Sequence, residues 1–538
     1  MSGAEKIATW LLSSALRLSR DGVAQMALAY RQRIKTWQEL IGAQKDRGRV
    51  AVLLTPWVNT AVPFYVVELG FALRRAGHEV VFLCDRTVLP VNRSSGVALQ
   101  AFELLVRELR TFAKVVDVDR FAGADFAPAN YRSLAYENAV WFTKGEELVD
   151  EFARANPDFS EKLAALGGRV TEVLKEVLPS WVLIPGGVFG VAGVYTRACE
   201  TLGLDFSTFD SGPGRFFFAH RGIASQSGDL PIAHRSLSEA CQREEWLAVR
   251  VCEEAARLGL DRQEMKDTSD FQVVKRSYAV KDRCDVLVCL NYRADTAALF
   301  RCRAFPTVKD WVFQVLQWAK KQGGVRVGIR PHPVTRHGRI RSTDRLEAVV
   351  RAVDPDGRFS VWIPPDASVS SYDLIQQAKV VLPFTSTVGI EAVLMEKPIV
   401  LGSYCYYDSL GFAHVGSTPE RYFELVEAGL RGELSPSREE RKAAALCLYL
   451  MMRCRSVHSI FTPQPADFWR WQAIEPETLW SQEEMRDLLE SLSMRKPLAW
   501  VRHQRADCDW RRSSQSNSGP SSARGNLFEP DAAKPLSQ

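Results

Sequence analysis

The sequence predicts an α/β protein built from two doubly wound domains that face each other across a cleft, with a helical N-terminal extension and a disordered C-terminal tail. Three observations carry this. Apolar runs of strand length alternate with helical patterns from Arg49 to about Asp210. The same alternation restarts at Asp285 and runs to about Gly402. A chain of 538 residues with 46% hydrophobic content has material for two cores. Strands buried on both faces read as unbroken Val/Ile/Leu runs, and helical crossovers separate them.

The first alternation opens with "RVAVLLT" (49–55), a buried strand. "VPFYVVELGFALRRAGHEVVFLCD" follows as a helix closed by Gly77 and a strand over Val80 to Leu83. Residues 98–178 read as mostly helical. "WVLIPGG" gives a strand over 181–184 and a glycine turn, then a helix over about 190–202 and a short strand ending near Asp210. The second alternation takes its strands from "DVLVCLN", "VRVGIR", "FSVWI", "KVVLPF" and "KPIVLG", with a helix between each pair. The expected division is 1–45 as the helical extension, 46–280 as a first α/β domain with a helical insertion, and 281–460 as a second. Helices follow over 461–502 and a Ser/Gly/Pro-rich tail over 503–538.

Composition narrows the functional class. A net charge of +5 over this length is too mild to point to nucleic acid. The 11 cysteines are scattered and form no C-x-x-C pair, which fits a reducing cytoplasm better than a disulfide framework or zinc site. No apolar run spans a bilayer. Ile7, Trp10, Leu11, Ala15 and Leu18 share one helical face beside Arg17 and Arg20. That face suits packing on the body of the protein or peripheral contact with the cytoplasmic surface of an anionic membrane.

Two stretches carry the chemistry. In "IRPHPVTRHGRIR" (329–341), Pro331 and Pro333 push Arg330 and His332 into extended conformations. The expected result is a stiff spur at a strand end with His332 held out as a donor to an anion, and with Arg336, Arg339, Arg341 and Arg345 on the same rim. The alternative is a rigid turn whose histidine satisfies a neighbouring carbonyl. In "FTSTVGIEA" (384–392), Thr385, Ser386 and Thr387 crowd a helix N-terminus, where free N–H groups and the dipole favour phosphate. Gly389 is read as permitting close approach of a ligand. Glu391 does not fit a capping box and is read as accepting from ribose hydroxyls; its alternative is a dipole contact. "GSYCYYDSLGF" supplies Tyr404, Tyr407 and Gly411 as a loop that closes on the sugar or base.

These two stretches, with "LVCLNYRADTAALF" and "FPTVKDWVFQVLQWAKK" ahead of them, resemble the capsule polysaccharide biosynthesis family, over roughly 285–412. The resemblance implies two Rossmann-like domains of the GT-B, Kdo-transferase-like kind. It implies a glycosyltransferase that moves a sugar, such as Kdo or another acidic sugar, from a CMP- or UDP-linked donor to a surface polysaccharide or glycolipid. The nucleotide sugar is then a co-substrate, and no resident cofactor is expected. In relatives that use CMP-activated sugars the HP histidine and the hydroxyl-rich helix start hold the CMP phosphate. This carries over to His332, Ser386 and Thr387, with Arg330 and Glu391 as phosphate-side and ribose-side supports.

The acceptor side needs a base. The first loop, "TPWVNTAVPFY", holds neither acid nor histidine, so Asp210 and His220 in "FDSGPGRFFFAHRG" are the candidates, with Asp229 third. Asp210 could equally be an Asx-type turn residue. The D-x-D pair Asp117 and Asp119 is too weak a signal for a metal, and none is expected. Other readings are an inactive scaffold for polysaccharide assembly, or a nucleotide-sugar epimerase or glycerophosphotransferase on the same fold.

Overall fold

The computed structural model describes residues 22–40, 47–57, 62–91, 96–123, 127–212, 215–268, 283–336, 342–367, 369–458 and 475–516. The segment considered for membrane contact, Arg339, Arg341 and the tail beyond residue 516 lie outside these.

The first sheet holds seven strands: β1 (Arg49–Leu54), β2 (Glu79–Cys84), β3 (Lys114–Asp117), β4 (Trp181–Pro185), β5 (Phe206–Gly212), β6 (Arg215–His220) and β13 (Ser456–His458). Their order is β13-β6-β5-β4-β1-β2-β3. The five from β5 to β3 are parallel, while β6 is antiparallel to β5 and β13 to β6. Val50, Ala51, Val52, Leu53 and Leu54 in β1 are all fully buried, because helices cover both faces. One face packs on the helices Gly22–Leu40 and Val62–Arg75, the other on Phe159–Val177 and Gly190–Leu202. The expected short strand ending near Asp210 is longer, and the chain turns back from it as β6.

The second sheet is parallel, in the order β10-β7-β8-β9, from β7 (Val286–Cys289), β8 (Val327–Arg330), β9 (Ser360–Trp362) and β10 (Val380–Pro383). The run "KPIVLG" forms β11 (Val400–Leu401), which pairs with β12 (His414–Val415) and reaches β10 through the bridge Val381–Ile399. The expected fold class, two doubly wound domains of the GT-B kind with a helical extension at the N-terminus, is the fold observed.

The helices Leu230–Arg243 and Glu245–Thr268 share a core with the second sheet: Leu237, Val251 and Ala255 pack in one cluster with Leu287, Val381 and Ile390. The second body therefore begins well before residue 281. The chain then returns to the edge of the first sheet as β13. Beyond it the helix Leu498–Ser516 takes in residues 503–516, which the polar composition had placed in the tail. His503 is buried there and Arg511 pairs with Glu244 at 2.8 Å. None of the 11 cysteines is in a disulfide. Among the described residues no helix is long and apolar enough to cross a membrane.

The two bodies are latched. Arg293, from the loop after β7, is 2% exposed and bonds Glu137 at 2.8 Å and Glu146 at 2.7 Å on the first body. Glu146 also accepts from the Val308 N–H at 3.0 Å, so a carboxylate of one domain caps the helix Val308–Gln322 of the other. The Glu146 N–H in turn donates to Asp344 at 2.6 Å.

Burial lifts the Asp344 carboxyl to about 6, above the roughly 3.9 of an unfolded Asp. Between about pH 4 and 6 the folded state keeps a proton that the unfolded chain releases, so this group favours folding at low pH and that contribution is lost as pH rises through about 6. Asp344→Asn keeps an acceptor without the titration. Its unfolding free energy should exceed that of the wild type at pH 8, by roughly 1–3 kcal/mol, with a higher midpoint, and converge with it near pH 4. Parallel midpoint-versus-pH curves for the two proteins would show that Asp344 does not titrate in this window.

Candidate active site

A cleft of about 600 Å³ opens between the carboxyl ends of the two sheets. Each sheet contributes its topological switch point, where neighbouring crossovers diverge and leave a crevice. In the first sheet this lies between β1 and β4, and the cleft is lined by Trp57 after β1 and Pro185 to Phe189 after β4. Gly186 and Gly187 have φ of +66° and +78°, a left-handed pair that turns the chain sharply into the next helix. In the second sheet it lies between β7 and β10, and Asn291 and Thr385 follow those strands into the same cleft. The Asn291 side chain accepts from the Thr385 N–H at 3.2 Å and ties the two loops together.

The walls differ in chemistry. The first domain presents aromatic rings: Trp141 stacks on Phe189 at 4.0 Å between centroids, Trp57 leans on Phe189 at 5.8 Å, and Phe209 and Phe217 continue the surface. Such faces suit the apolar faces of sugar rings. The second domain presents His332, Thr385, Ser386 and Thr387 with Arg262, Arg301 and Arg455 around them. Asp210 lines the cleft from β5, and its charge acts on Arg455.

The structure thus brings His332, Thr385, Ser386, Thr387 and Asp210 together. His332 Nδ1 accepts from the Val334 N–H at 3.1 Å, a bond that leaves the ring proton on Nε2. Thr385 is 7% exposed and its Oγ1 has no partner among the described residues. Burying a hydroxyl unpaired is costly, so this atom has hydrogen-bonding capacity left to offer in the cleft.

The other candidates fall elsewhere. His220 is buried outside the cleft, with Nδ1 2.6 Å from Ser207 Oγ and Nε2 2.9 Å from the Ser491 carbonyl; burial pulls it down to about 4. It joins β6 to the C-terminal helices. Asp229 is also buried there, accepts from the His220 N–H, and is pushed up to about 7 by burial. Arg330 is 6% exposed and donates to the Pro364 carbonyl, bracing the loop after β9. Tyr404 is exposed away from the cleft, with the Arg303 guanidinium over its ring; Tyr406 takes the cleft-lining place. Arg345 lines a neighbouring hollow beyond His332. Asp117 is paired with Arg86 and Arg110 on the surface.

Glu391 does not face a ribose. It is 5% exposed and accepts from Arg262 Nε at 2.7 Å and from the Tyr372 hydroxyl at 2.8 Å. Burial alone would lower the Arg262 pKa, but Glu391 holds it above its ordinary value and fixes that cation at the cleft. Gly389 does not admit a ligand either: a Cβ there would stand 2.3 Å from the Tyr407 hydroxyl, which bonds the Ser386 carbonyl at 2.8 Å. Arg262, Arg301 and Arg455 were missed because nothing local distinguishes them from surface cations; "ALFRCRAF" and the charged helix over 236–268 held two of them.

Residues 251–425 match the model of the capsule polysaccharide biosynthesis protein family, the family read from the motifs above. No curated protein matches the chain. Among solved structures, it is similar to the β-Kdo 2,7 and 2,4 transferase structures of Thermosulfurimonas dismutans KpsC. Identities are 16% and 17%, covering 52% and 50% of this chain and 79% of each of those, with TM-scores of 0.30 and 0.31. A UDP-GlcNAc 2-epimerase from Neisseria meningitidis bound to UDP-GlcNAc is 12% identical over 74% of this chain and 95% of that one, with a TM-score of 0.23.

The packing reading of Gly389 is directly testable. Gly389→Ala should cost about 1–3 kcal/mol by overpacking against Tyr407, and Tyr407→Phe in the same chain should recover part of that loss by removing the clashing hydroxyl. Additive effects of the two changes in thermal unfolding would rule the contact out.

Proposed function

We propose that this protein is a glycosyltransferase that moves a sugar from a nucleotide-sugar donor, held on the second domain, to a glycan or glycolipid acceptor entering along the first. The observation that carries this is the meeting of His332, Thr385, Ser386 and Thr387 opposite Asp210 in one cleft between two switch points. The donor is a CMP- or UDP-linked sugar, with CMP first and an acidic sugar such as Kdo in mind. It is a co-substrate rather than a resident cofactor.

In this reading the three hydroxyl residues receive the phosphate. The bond from the anomeric carbon to the phosphate oxygen breaks, and His332 stabilises the charge that grows on that oxygen by hydrogen bonding from Nε2. The acceptor hydroxyl forms the new bond to the anomeric carbon and gives its proton to Asp210. The aromatic wall orients the acceptor sugar. Glu391 contributes at one remove, by positioning Arg262.

CMP, or failing that UDP, should raise the melting temperature at millimolar concentration, because a ligand that binds only the folded state must do so. No shift with any nucleotide would overturn the assignment. His332→Ala should lower turnover by two or more orders of magnitude, about 2.7–4 kcal/mol, with little change in melting temperature. Glu391→Gln should raise the donor Michaelis constant and keep most of the turnover, since Arg262 loses its anchor in ground and transition states alike. A normal rate in folded His332→Ala would make the proline-flanked histidine structural.

A further inference from the structure

The donor phosphate accounts for the hydroxyl cluster Thr385 to Thr387. Across the same cleft, the turn Ser225–Gln226–Ser227 of the first domain meets two arginines of the second. Arg301 donates to Gln226 Oε1 at 2.6 Å, and Gln226 Nε2 donates to the Thr296 and Leu299 backbone carbonyls at 2.9 Å each, which fixes the orientation of the side-chain amide. Arg455 donates to Ser227 Oγ at 2.6 Å and sits over the Phe217 ring at 4.5 Å.

Neither guanidinium has a carboxylate partner within ion-pairing distance among the described residues, and burial lowers the pKa of both. Arg262, by contrast, is neutralised by Glu391. Two further atoms are unsatisfied at the same place: the buried Ser225 Oγ and the buried Arg455 Nε have no partner among the described residues. All three residues line the cleft. Half-buried cations without a carboxylate in contact are costly, as is an orphaned buried hydroxyl. Both costs fall when an anion with several acceptor oxygens occupies the space, because guanidinium forks and a hydroxyl are donors that match it.

We propose that Ser225, Arg301 and Arg455 form a second oxyanion subsite in the cleft, which takes the carboxylate of an acidic sugar or the second phosphate of a nucleoside diphosphate. The inference rests on the nucleotide-sugar reading and deepens it: the substrate brings two anionic groups, one for Thr385 to Thr387 and one for this set of donors.

Titration calorimetry on the full chain tests it, with and without saturating CMP. One arm compares free Kdo with its methyl ester; the other compares CMP with CDP and UMP with UDP. The same probes are run on Arg301→Gln and on the milder Ser225→Ala, with melting curves to confirm folding. If the second anion is a carboxylate, the acid should bind at least tenfold tighter than the ester, and both variants should shrink that ratio while leaving CMP affinity near the wild type. If it is a phosphate, the diphosphates should hold the tenfold advantage and lose it in the variants. Wild-type protein that discriminates in neither arm, or variants that keep the full ratio, would overturn the subsite. Intact CMP binding beside such a result would leave the proposed function standing, whereas absence of any nucleotide binding would strike that function itself.

Discussion

The cleft depends on one buried cation. Arg293 reaches from the second domain between Glu137 and Glu146 of the first, and Glu146 at the same time caps a helix of the second. A cation this deep is tolerable only with both carboxylates in place, and each carboxylate only with the cation. The pairing therefore favours one mutual placement of the two sheets over any in which the groups separate. The facing of His332 and Thr385 with Asp210 is a downstream result of that placement. Cleft residues add to the same packing, since Arg301 and Arg455 of the second domain bond Gln226 and Ser227 of the first.

The cleft is also arranged by division of labour. Stacked aromatic rings occupy one side, hydroxyls, an imidazole and guanidiniums the other. A sugar nucleotide has the same division: ring faces that pack and phosphate oxygens that accept. The family match over residues 251–425 covers the cationic side except Arg455 and begins within the helix that supplies Arg262.

How much of this the sequence disclosed follows the range of the interactions. The parallel strands and their crossovers were legible because burial on both faces leaves an unbroken apolar run. His332 and Thr385 to Thr387 were legible because prolines and hydroxyls at strand ends act on neighbouring backbone. Glu391 was misread because its partner Arg262 lies 129 positions away, and no local rule foresees that pairing. The same holds for Gly389, whose space is filled by Tyr407, and for His220, whose partner Ser491 sits 271 positions on. The tail was drawn too early because Ser and Arg masked Trp510, which packs beside Tyr449 at 5.8 Å.

The path of the chain has a mechanical consequence. It leaves the first body at the turn before Leu230, re-enters it between Arg455 and β13, and passes once more to the second body between the helices Glu483–Met494 and Leu498–Ser516, where Leu492 packs in the first core and Ala499 in the second. Arg455 and Ser227 Oγ bond the first two crossings to each other. A body held by one strand of chain swings freely, and each further crossing takes away a direction of swing. The crossings act as rivets along one side of the cleft, so a ligand seated beside Ser227 would lie at the stiff seam between the two halves.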